Sequence, residues 1–150
     1  MDIKKLIEQI VEENSKPTIA YSAVVIEDSS EIAKIKKIVE QYIPLNQGWK
    51  KPLDFHMTIS LGKFPESLYL RGDLNKKVTL KIDTIGISAN AIALGTNGYY
   101  SKNDIPHITL AFQKYSTPAA SKFIENWEKI DTFYVTGVIR EVATGNVVLK

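Results

Sequence analysis

Cysteine is absent from this 150-residue chain, which excludes disulfides, thiolate–zinc centres and cysteine nucleophiles together. Long apolar runs are missing too, and no stretch approaches the roughly 18 residues of a membrane-spanning helix. Neither sign of charge is in excess. The formal net charge is only +2, short of the strongly basic face that a long nucleic-acid duplex calls for. Lysine pairs at 4–5, 36–37, 50–51 and 76–77 are scattered along the chain and read as solvated surface. Neither standard glycine-rich phosphate loop occurs, nor any linker or low-complexity tract. The N-terminal segment carries acidic residues through its apolar face and lacks a small-residue cleavage site, so it does not read as a signal peptide. The expectation is one domain over residues 1–150, in the cytoplasm or, for a viral protein, the host cytoplasm. No membrane association, cofactor, metal or obligate protein partner is called for. A hydrophobic fraction of 44% is enough for an ordinary core.

What is present alternates irregularly between helix and strand periods. Ile3, Leu6, Ile7, Ile10 and Val11 form one stripe of a helix over residues 2–14. A strand is expected over 18–27. Asp28, Ser29 and Ser30 offer N-caps for a helix with Ile32, Ile35, Val39 and Tyr42 at helical spacing, ended by Pro44. A polar loop over 45–51 follows. From Phe55 to Gly98 the period is two, with a phase change that predicts a bulge near Thr84 and a turn at Thr96-Asn97-Gly98. Thr117-Pro118 reads as the start of a helix carrying Ala120, Phe123, Ile124 and Trp127 toward a core. Residues 133–150 read as a hairpin about Thr144-Gly145-Asn146. Short connections between strands favour an α+β domain over a doubly wound parallel one.

Histidine is scarce, and that scarcity is informative. The only two open the same pattern: His56-Met57-Thr58-Ile59 and His107-Ile108-Thr109-Leu110. With ten threonines in the chain, one falling two places after both histidines by chance is on the order of a 0.5% event. By alternation Met57 and Ile59 face a core while His56 and Thr58 face away. Ile108, Leu110 and Phe112 likewise oppose His107, Thr109 and Ala111. Two imidazoles flanking a phosphodiester suit its cleavage, because one takes a proton from the nucleophile while the other supplies the leaving oxygen. Hydroxyls one pleat away are placed to donate to the non-bridging oxygens. The bland readings are a pair of structural histidines, threonines serving only as strand formers, and a metal site completed by Asp54 and Asp104. Asp54, on the face of His56, is equally placed to orient that ring.

The paired H-x-T-x motifs resemble those of the 2H phosphoesterase superfamily. Phe55-His56-Met57-Thr58, Ser101-Lys102-Asn103, Pro106-His107-Ile108-Thr109 and the strand Tyr21-Ser22-Ala23-Val24 are most similar to the cyclic phosphodiesterase domain of plant and fungal tRNA ligases. The resemblance implies two pseudo-symmetric lobes of antiparallel strands with outer helices around a central cleft. It also implies metal-independent hydrolysis of cyclic phosphodiesters of nucleotides or short RNA ends, 2′,3′-cyclic phosphate first, catalysed by His56, Thr58, His107 and Thr109. Small viral proteins of this kind that destroy cyclic oligonucleotide alarm messengers imply an alternative, cleavage of 3′,5′ linkages. A non-catalytic nucleotide-binding module is a second. Tyr21, Trp49, Tyr99 and Lys102 are the candidate substrate-binding residues, as base stackers and a phosphate contact, with Tyr100 a further aromatic in reach.

Overall fold

The computed structural model describes residues 2–15, 17–44 and 48–150. Helix α1 (Ile3–Ser15) starts where the Asp2 carboxylate accepts the Lys4 amide at 3.0 Å. Its stripe of Ile3, Leu6, Ile7 and Ile10 is exposed rather than packed on a core, and the Val11 side chain lies outside the described set. After β1 (Ile19–Val25), Asp28 caps α2 (Ser29–Tyr42) by accepting the Ser30 amide at 2.8 Å. Residues 45–47 of the expected loop lie outside the described residues. Its remainder carries β2 (Trp49–Lys50), followed by β3 (His56–Leu61) and a five-residue helix α3 (Glu66–Leu70) that is too short to leave a periodic signal.

Strands β4 (Lys77–Ile87), β5 (Ala91–Asn97) and β6 (His107–Gln113) form an antiparallel meander. A 17-residue strand, β7 (Trp127–Ala143), then turns at Gly145 into β8 (Val147–Val148). Strand β7 pairs with β4 along its first part and with β1 along its last, Val138 standing opposite both Lys77 and Val25. That double pairing joins the sheet ends into a closed six-strand antiparallel barrel ordered β1-β3-β6-β5-β4-β7. The expected mixture of helices with antiparallel strands is therefore present, organised as a barrel. No helix among the described residues is long and apolar enough to cross a membrane.

The barrel is filled by fully buried side chains from every strand of the ring, among them Val24, Met57, Ile59, Leu80, Leu94, Ile108 and Ile139. Helix α2 adds Ile35 and Val39 to the same cluster. Each such side chain is worth about 1.5–3 kcal/mol of burial, so the interior is spent on stability and leaves chemistry to the outer face.

Two sequence expectations need correction here. The segment after Thr117 is a 3₁₀ helix of six residues, Pro118–Phe123, in which Phe123 is 80% exposed; Ile124 is buried, and Trp127 belongs to β7. The alternation of β6 also breaks after Thr109. Ala93 pairs with Thr109 but Ile92 with Ala111, so Leu110 is an extra residue, Ala111 turns inward and Phe112 is left half-buried. The bulge expected near Thr84 lies between Ile82 and Thr84.

Candidate active site

Strands β3 and β6 meet at a single ladder pair, Met57 opposite Ile108. Antiparallel pairing about that point sets His56 toward Thr109 and His107 toward Thr58. Beyond it the strands part, and the loop before β6 takes over the carbonyls of β3. Ser101 Oγ donates to the Thr58 carbonyl at 2.7 Å and the Lys102 amide to that of Ile59 at 2.8 Å.

The two motifs are matched beyond their letters. On β1, Ala23 lies opposite Thr58 and Ser22 opposite Ser60, so Ile59 is the extra residue of a bulge. On β5, Ala93 lies opposite Thr109 with Leu110 as the extra residue. Each H-x-T-x motif thus ends on a bulge at its fourth, buried position and faces an alanine across the ladder at its threonine. Bulges re-aim the side chains beside them, and alanine leaves space over the hydroxyls. The result is a cavity of about 270 Å³ on the outer face of the barrel, lined by His56, Thr58, His107 and Thr109 together with Tyr21 and Lys122.

Each imidazole is tied back by Nδ1 to a residue two places upstream. The Asp54 carboxylate is 2.7 Å from Nδ1 of His56, and the Ile105 carbonyl accepts from Nδ1 of His107 at 2.8 Å. A carbonyl can only accept, so His107 carries its proton on Nδ1 when neutral and its Nε2 offers a lone pair. His107 is only 8% exposed, and burial holds its pKa below the usual histidine value, with the charges of His56 and Lys122 acting in the same direction. The two rings therefore differ. One is held by a carboxylate, the other is buried and favoured neutral.

Thr109 Oγ1 is 2.8 Å from Oγ of Ser121, a buried serine on the 3₁₀ helix. With Ser121 as the donor there, the Thr109 hydroxyl donates to the Pro118 carbonyl at 3.4 Å, a long bond that it can exchange for a better acceptor. Tyr21 stacks on His56 with ring centroids 5.0 Å apart. Its phenol oxygen is buried without a partner among the described residues, and burial, reinforced by the Asp54 carboxylate, pushes its pKa up to about 12. It is a neutral wall of the site.

Trp49 and Tyr99 are not brought to the cavity. Trp49 pairs opposite Gln113 and packs on the barrel core. Tyr99 also packs on that core, and its hydroxyl donates to Asp73 at 2.7 Å. Arg71 and Tyr99 hold the Asp73 carboxyl well below the usual carboxylate range, a structural network away from the histidines. Both aromatics looked like base stackers because they flank the motifs in sequence; a partner 26 residues upstream leaves no local sign. We expect Tyr99→Phe to cost about 1 kcal/mol of stability through the lost hydrogen bond, seen as a lower denaturation midpoint, with KM for any substrate within twofold of the parent. A KM rise without destabilisation would return Tyr99 to the site.

Lys102 lines flanking cavities rather than the central one, and Asp104 lines one of them. Among the described residues, no three His, Cys, Asp or Glu side chains gather as metal ligands would. Sequence reasoning missed Ser121 and Lys122, delivered by the 3₁₀ helix, and Asn146, delivered by the β7–β8 turn with a positive φ of 60°. Only the turn signal at 144–146 hinted at any of them. No protein-family model matches the chain, and no curated protein matches it significantly.

Proposed function

We propose that the protein is a metal-independent hydrolase of cyclic phosphodiesters on nucleotides or RNA ends, with 2′,3′-cyclic phosphate as its first substrate. One observation carries the reading: both imidazole–threonine pairs line one cavity, each ring tethered through Nδ1 so that Nε2 is left for chemistry. In this scheme Nε2 of His107, favoured neutral by burial, takes a proton from the attacking water. His56, backed by Asp54, gives its Nε2 proton to the departing ribose oxygen as the P–O bond breaks. The hydroxyls of Thr58 and Thr109 and the Lys122 ammonium stabilise charge on the non-bridging oxygens. The product is a phosphomonoester, and the proton lost by water balances the one gained by ribose.

The matched bulges and facing alanines support a local two-fold axis through the Met57–Ile108 pair. We take that axis to relate the two halves expected from the 2H resemblance, with the cavity as the cleft between them.

The deciding assay offers RNA with a 2′,3′-cyclic end, cyclic mononucleotides, and cyclic di- and trinucleotides, in the presence of EDTA, and weighs the products. Turnover of the 2′,3′-cyclic esters unaffected by the chelator is expected. Loss of activity in EDTA would replace this reading with a metal-assisted one, and release of linear oligonucleotides alone would move the substrate to cyclic messengers. The base must be neutral and its pKa is lowered, so the acid limb of kcat/KM should have its midpoint below pH 6.5. A midpoint above that value would contradict His107 as the base.

A further inference from the structure

A second cavity of about 300 Å³ adjoins the first and shares His107, Asn103 and Lys122 with it. Its far wall is Trp127. The indole is set against the outer face of the barrel by a missing side chain: a Cβ on Gly86, its partner across the ladder, would lie 2.7 Å from Cε3 and Cζ3 of the ring. Gly95 is the register partner of His107, so the β5 strand places no side chain of its own there; a Cβ on it would collide with the Thr84 side chain, while meeting Cζ3 of the indole only at an ordinary contact distance of 3.5 Å. The ring is fixed. Its Nε1 donates to the Ile124 carbonyl at 3.1 Å, and it packs with Ile124, Ala91 and Ala93. Its only side-chain polar atom is thus satisfied inside the protein, while the part-buried ring lines the cavity.

From this arrangement we propose that the Trp127 cavity is the nucleobase subsite, in which the base of the nucleotide stacks on the indole while its cyclic phosphate lies between His56 and His107. The proposal rests on the hydrolase reading above and gives its substrate an aromatic base. A preformed aromatic wall with a few polar groups around it is what a base site requires. Tyr21, the other aromatic of the site, has a face already occupied by the His56 ring. The shared Lys122 stands where the two cavities join, beside the expected phosphate.

The test compares a nucleoside 2′,3′-cyclic phosphate with the base-free ester methyl ribofuranoside 2,3-cyclic phosphate. The ratio of kcat/KM between the two is expected to fall roughly 5- to 100-fold in Trp127→Ala and to be largely restored in Trp127→Phe. An unchanged ratio in Trp127→Ala overturns the subsite while leaving the hydrolase intact. A second measurement needs no turnover. With Trp49 replaced by Phe, Trp127 is the only tryptophan, and its fluorescence should be quenched by adenosine 2′- or 3′-monophosphate but not by inorganic phosphate. Absence of quenching at saturating nucleotide refutes the stacking. Quenching in a protein that hydrolyses none of the esters supports the subsite and overturns the hydrolase.

Discussion

Replacing His107 with alanine is expected to lower kcat for a nucleoside 2′,3′-cyclic phosphate by roughly 10²- to 10⁴-fold, and His56→Ala to do the same. Both changes fall on the outer face of the barrel, whose interior is packed by other residues, so the far-ultraviolet circular dichroism and thermal midpoint should stay near those of the parent. The two variants should differ in their pH response. In His107→Ala the acid limb disappears with the base, and small exogenous imidazole restores part of the rate as it supplies the missing proton acceptor. In His56→Ala the acid limb remains, since the buried ring that governs it is untouched. The lost acid should matter least for an ester whose leaving group needs no proton, such as an activated aryl phosphodiester. Wild-type rates in either variant would remove that ring from the mechanism.

The second large effect concerns Asp54. Its carboxylate meets Nδ1 of His56 at 2.7 Å, which places the transferable proton on Nε2. Asparagine in its place can present an amide N–H to Nδ1 and stabilise the opposite tautomer, leaving Nε2 protonated in the neutral ring and depriving the imidazolium of its counter-charge. We expect Asp54→Asn to lower kcat by about 10²- to 10⁴-fold, the scale known for a mis-set imidazole tautomer. KM should change little, because the carboxylate faces the ring and not the phosphate. Asp54→Ala, which leaves Nδ1 to water, should be milder. Two-dimensional ¹⁵N spectra of the histidine side chains would report the tautomer directly, and an unchanged His56 signal in Asp54→Asn alongside full activity would refute the role.

Much of the candidate site was legible because it is written in short-range patterns. Alternation through His-x-Thr is a local property, and β3 and β6 present the imidazoles on the face opposite Met57 and Ile108, as period two requires up to the bulge that closes each motif. The Asp28 cap and the bulge near Thr84 were local in the same sense. What escaped was set at long range. Closure of the barrel depends on β7 pairing with both β4 and β1, and neither partner leaves a trace in the residues of β7 itself. Ala120, Phe123, Ile124 and Trp127 do repeat at helical spacing, yet Pro118 opens only a 3₁₀ turn, and Trp127 joins a strand in which its ladder partner Gly86 clears a seat for its ring. Trp49 and Tyr99 pack on the core away from the histidine cavity for the same reason. An aromatic beside a motif can pack inward or face a ligand, and only tertiary partners decide which.

The solitary ladder pair between β3 and β6 has a mechanical consequence. The barrel wall has its fewest strand-to-strand ladder pairs at the line that separates the two imidazoles, with Ser101 and Lys102 of the preceding loop bonding the β3 carbonyls beyond it. In the proposed reaction a phosphate held by both histidines would therefore act as a rivet across the seam that has the least backbone pairing of its own.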